Sequence, residues 1–236
     1  MDIREFAQAF LNEVKASVEM NDTDYDQELA SLIFDYLEDN GEVNNPEICS
    51  FQKTRTRITA YDYNDEAESL DLFYLIKADT LLGKINNNKV QQGYNYLMGF
   101  YHEAMHDLLF KGQNVQPNDE IIEVAKLVKS TKGNISQLRV YVITDGLIDP
   151  TASIAPDENK EEGFVIEYNI WDMLRVYQQH NVKIGKEKVE IDFAINYNTE
   201  LQCLKMNEEN PFVEAYLAIM PGVVLAKIYK QYQQVL

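Results

Sequence analysis

The chain has 236 residues, with 21 Lys and Arg against 39 Asp and Glu, a formal charge of −18 and a hydrophobic share of 45%, enough to fill a sizeable core. That charge excludes a surface built for duplex DNA, where clustered cations bind by releasing counterions; any nucleic-acid contact has to be local, metal-bridged or supplied by another part of the protein. Two widely separated cysteines, Cys49 and Cys203, a start without a basic-then-apolar leader and no run near the roughly 18 apolar residues of a membrane span point to a cytoplasmic chain with no membrane association.

Ile3, Phe6, Ala7, Phe10, Leu11 and Val14 recur at helical spacing, as do Leu29, Leu32, Ile33, Tyr36 and Leu37 after a Thr23 or Asp24 cap, so two helices open the chain. Past Pro46, the β-branched and aromatic runs Ile48–Lys53, Arg57–Asn64 and Ser69–Lys77 predict a β-meander that closes in a hairpin. The helical period returns through Val90, Tyr94, Leu97, Met98, Tyr101, Met105 and Leu108, and a further helix capped at Asn118 stops near Gly133. Leu138–Thr144 alternates little, as a strand covered on both faces does. An acidic loop from Asp149 to Glu162, a strand at Phe164–Tyr168 and a helix around Trp171–Gln179 follow. Strands at Val189–Ala194, Glu200–Lys205 and Tyr216–Met220 are expected to complete one mixed sheet. The expectation is one α/β domain over residues 1–236, a mixed sheet flanked by helices, with residues 185–236 as a possible subdomain.

Three constellations could carry chemistry. His102-Glu103-Ala104-Met105-His106 reads HExxH on a helix: histidines four apart share a face and could hold zinc, the Glu would activate water, and Glu120 or Glu123 could complete the ligands. Against it, the wheel tilts His106 toward solvent and the next residue, Asp107, is charged; no stoichiometric zinc is expected. Asp62 and Asp71, on adjacent strands of the hairpin, could share a Mg²⁺ that activates water for phosphodiester cleavage. Lys53, Arg55 and Arg57 form the one basic cluster on a strand; they could touch a phosphate or simply protect an edge.

A helix, three strands, a helix and a strand (αβββαβ) resembles the opening of restriction-endonuclease-like nucleases of the PD-(D/E)xK type. That pattern needs a Lys two residues after its second acid. Phe73 stands there, and Lys77 lies roughly 13 Å further along the strand at about 3.3 Å per residue.

Glu214–Tyr229, EAYLAIMPGVVLAKIY, resembles a stretch of the abortive-infection phage-resistance (AIPR) proteins. Ile143-Thr144-Asp145-Gly146, Ile170-Trp171-Asp172, Leu174–Tyr177, Leu201–Leu204 and the hairpin with Leu70-Asp71-Leu72-Phe73 fall in that family's order. The resemblance implies an N-terminal region of a longer bacterial anti-phage protein, with a nuclease-like domain. Two readings stay open: Mg-dependent cleavage by Asp62 and Asp71 with Lys77, or a catalytically degenerate module that senses a phage component or holds protein partners, with weak nucleic-acid binding at most. Phe73 and the charge favour the second; the element order and the paired Asp favour the first.

Overall fold

The computed structural model of the chain describes residues 1–111, 119–148, 164–184, 192–205 and 216–231. The chain divides into two compact units, Met1–Gln179 and His180–Leu236.

In the first unit, α1 (Ile3–Asn21) and α2 (Tyr25–Asp39) begin on acidic caps. Asp2 and Glu5 satisfy each other's backbone N–H groups, and Asp24 accepts from Asp26 N, which also suits the positive end of each helix dipole. The meander follows as β1 (Glu47–Lys53), β2 (Thr56–Asn64) and β3 (Ser69–Ile76), all antiparallel. A two-residue strand, β4 (Lys84–Ile85), leads into α3 (Asn87–Met105), whose Asn86 cap accepts from Lys89 N. Next come α4 (Asp119–Ser130), β5 (Gln137–Thr144), β6 (Leu147–Ile148), which pairs with β4, and β7 (Val165–Trp171), after which α5 (Met173–Ile184) starts. β5 lies parallel to both β3 and β7, so the five-stranded sheet runs β1-β2-β3-β5-β7. This is the mixed α/β sheet flanked by helices that the sequence predicts.

Two cores form, one per face. Leu70, Leu72, Leu138, Val140 and Val142 bury with Val90, Tyr94, Leu97 and Phe100 of α3 and Ile121 and Val128 of α4. Ala60, Phe73, Tyr141 and Ile143 bury with Phe6, Phe10, Leu29, Ile33 and Phe34 of α1 and α2. β5 is therefore covered on both sides, as its unbroken apolar run requires. The hairpin is covered on both faces: in β3 only Tyr74 escapes full burial, since Phe34 meets Phe73 at 4.9 Å on one face while the α3 core takes the other. Gly93 and Gly99 let α3 lie this close. A Cβ at Gly93 would sit 2.9 Å from Val142 Cγ2, and one at Gly99 2.7 Å from Arg55 O.

The second unit holds α6 (Phe193–Tyr197), β8 (Gln202–Lys205), β9 (Tyr216–Ile219) and α7 (Gly222–Gln231). Two expectations fail here. Phe193 and Ala194, read as the end of a strand, lie in α6, where Asp192 O accepts from Asn196 N; an Asp ahead of a helix is a start signal that the apolar alternation hid. β8 and β9 pair with each other as a separate two-stranded sheet and do not extend the main one, because alternation marks a strand without naming its partner. Residues 185–191 of that expected strand and the acidic stretch Asp149–Glu162 lie outside the described residues.

Candidate functional site

The hairpin brings the two predicted carboxylates together. Asp62 on β2 and Asp71 on β3 are direct register partners, and both side chains are buried. One strand further on, Asp71 faces Arg139 of β5, which in turn faces Glu167 of β7. A row across four neighbouring strands thus carries two acids, a guanidinium and a third acid.

Each member of the central pair is already engaged. Asp71 Oδ1 accepts from Arg139 Nε at 2.7 Å and Oδ2 from Nη2 at 2.5 Å, a bidentate fork, while Arg139 Nη1 donates to Glu42 O at 2.9 Å. Asp62 Oδ2 accepts from Asn44 N at 2.7 Å and Asn45 N at 3.3 Å, fastening the segment between α2 and β1. Burial pushes Asp71 up to about 7; Arg139 opposes that rise, and the nearby Asp62 and Glu167 carboxylates reinforce it. Burial works against the charge on Arg139, yet the hydrogen bond and charge of Asp71 raise its pKa. The arrangement suits a structural ion pair. Mg²⁺ at this place would have to displace a guanidinium that holds both oxygens of Asp71, so the donor set does not fit the ion as arranged.

Lys77 is not brought to this row. It follows β3 at the opposite end of the strand, where its Nζ meets Asp26 Oδ1 of α2 at 2.6 Å. Phe73, where the nuclease pattern needs a Lys, is fully buried between Phe34 and the stacked ring of Tyr141 at 4.8 Å.

The HExxH residues sit at the end of α3. His102 is helical, but His106 is the C-cap, because Asp107 turns to a left-handed φ of 55°. The two rings lie 4.3 Å apart, and His106 Nδ1 is 2.9 Å from His102 O. Glu103, the expected water activator, is paired with Lys53 Nζ at 2.9 Å, and that Lys also donates to Leu109 O. Among the described residues no group of three or more His, Cys, Asp or Glu is placed to hold a metal ion.

Sequence reasoning missed Arg139. The signal was present: a single Arg inside Leu138–Thr144, an otherwise apolar strand, must find a buried acid. The basic cluster is also dispersed. Lys53 turns to Glu103, Arg55 is exposed in the β1–β2 turn, and Arg57 faces Tyr74 and Tyr96.

A family model described as the abortive infection phage resistance protein N-terminal domain matches residues 29–178, more than half of the chain. The chain belongs to this family. The matched segment runs from α2 to α5, so it contains the whole five-stranded sheet, the acid row and α3. Membership places the protein in anti-phage defence. No curated protein and no solved structure matches the chain. Among the described residues, no helix is long and apolar enough to cross a membrane.

Proposed function

We propose that this domain is the nuclease-like N-terminal part of a bacterial, cytoplasmic anti-phage protein that has lost catalysis and serves to sense a phage component or hold protein partners. The observation that carries the reading is Arg139. It occupies the carboxylate a metal would need, while the position of the assisting Lys is Phe73, buried in an aromatic core. A two-carboxylate site still needs a cation beside the attacking water, and one such contact is worth about 10² to 10³ in rate. A Mg-dependent nuclease of the restriction-endonuclease type is the second reading, favoured by the register pairing of Asp62 with Asp71.

Plasmid, single-stranded DNA and RNA incubated with Mg²⁺ or Mn²⁺ separate the two. The chain is expected to leave them intact. Robust cleavage that Asp71→Ala abolishes, in a variant shown to be folded by circular dichroism, would establish the nuclease reading instead.

A further inference from the structure

The open end of the β2–β3 hairpin, away from the acid row, borders a cleft of about 480 Å³ against the start of α3. Its lining includes three cations, Arg57, Lys77 and Lys89, and one carboxylate, Asp26. That balance is the reverse of the chain as a whole, whose charge is −18. Two of the cations have weak or exposed partners. Lys77 holds Asp26 at 2.6 Å with both side chains about half exposed, and Lys89 lies 3.8 Å from the almost fully exposed Asp79.

Arg57 is different. Among the described residues it has no carboxylate partner. Its guanidinium lies 4.6 Å over the ring of Tyr96, Nη1 makes one long hydrogen bond of 3.4 Å to Tyr74 OH, and Nε is buried with no acceptor. A guanidinium carries five donors, and a partly buried charge left so poorly paired costs stability unless an anion completes it. Arg supplies planar, bidentate donors and Lys mobile point charges, the combination that recognises phosphate oxygens. The volume falls within the range of small-molecule sites, larger than a lone phosphate needs. A long polyanion would meet the negative surface beyond the cleft, whereas a small dianion is screened from charges more than about 8 Å away.

We infer that this cleft binds a small phosphate ester of mononucleotide size, with Arg57 as the principal anion ligand and Lys77 and Lys89 as flanking charges. Binding here requires neither catalysis nor a defence role. Its failure would leave family membership and the cleavage result untouched.

Titration calorimetry of the full chain at about 0.15 M salt, with inorganic phosphate, adenosine monophosphate and a short single-stranded oligonucleotide as probes, tests it. Saturable binding of the monophosphate, tighter than that of inorganic phosphate, is expected. Arg57→Gln should weaken it by about tenfold or more and Lys89→Gln by a few fold, while Lys132→Gln, an exposed cation elsewhere, should leave it unchanged. If Arg57→Gln fails to fold, Lys89→Gln decides, since its side chain is about half exposed and its one ion pair is long. No binding of the monophosphate, binding insensitive to both cleft variants, or an oligonucleotide bound more tightly than the monophosphate would overturn the assignment.

Discussion

The β2–β3 hairpin carries an ion pair at each end, and the two are built differently. At the turn end, Asp71 and Arg139 meet under cover, with both carboxylate oxygens and a main-chain carbonyl used. At the open end, Lys77 and Asp26 meet about half exposed, beside an Arg57 that among the described residues has no acid to hold it. Burial explains the contrast. A charge inside the sheet is tolerated only when the fold itself completes its partners, whereas a charge at the rim can leave donors for something that arrives from outside. On the two readings proposed above, the acid row is architecture and the basic cleft is where the domain meets a ligand.

The sharpest way to break that comparison is Arg139→Met. Removing one partner of a buried pair leaves Asp71 either charged without a partner or holding a proton at a cost, and is expected to cost about 3–5 kcal/mol in urea denaturation at pH 8. The sign of its pH dependence follows from Asp71, whose native pKa is raised to about 7 from an ordinary 3.8. The native state then binds more protons than the unfolded chain between those values, so this group's contribution to stability falls as pH rises through that window. Without Arg139 the carboxyl stays protonated to a still higher pH. The loss should consequently be smaller at pH 5 than at pH 8, and equal losses at both would contradict the account.

Gly99→Ala probes the open end from beneath. A methyl 2.7 Å from Arg55 O has to push the β1–β2 turn or α3 aside, an overpacking that costs about 1–3 kcal/mol. A denaturation midpoint unchanged from the parent would show that the two elements are not held this close. The smallest effect is expected for Lys77→Ala, which breaks a solvent-exposed pair worth about 0–1 kcal/mol. Its effect on stability should shrink further in 1 M salt, where the Arg139→Met loss should largely remain.

Much of the first unit was legible from the residues. Period 3.6 located α1, α2 and α3, the runs around Phe51, Tyr61 and Phe73 located the meander, and the unbroken apolar texture of Leu138–Thr144 marked β5 as a strand covered on both faces. The pairing of Asp62 with Asp71 was also readable, because a short turn at Asp65–Glu68 sets the register of an antiparallel hairpin. The second unit was harder. Phe193 and Ala194 alternate like a strand yet lie in a helix, and short runs such as β8 and β9 could not reveal that they pair only with each other.

By itself the sequence determined the α/β class, the order of most elements, the negative surface and the residues that carry the family resemblance, since each of these is a local matter of periodicity, composition or motif. What only the tertiary structure decided is which charges meet. Arg139 lies 68 residues from Asp71 and reaches it because β5 inserts parallel to β3, a crossover that no local pattern records. The same is true of the cleft, where Arg57, Lys77 and Lys89 come from two strand ends and a helix. Side chains brought together by strand order are set by long-range packing, and that packing gives Asp71 its Arg while leaving Arg57, among the described residues, without an acid.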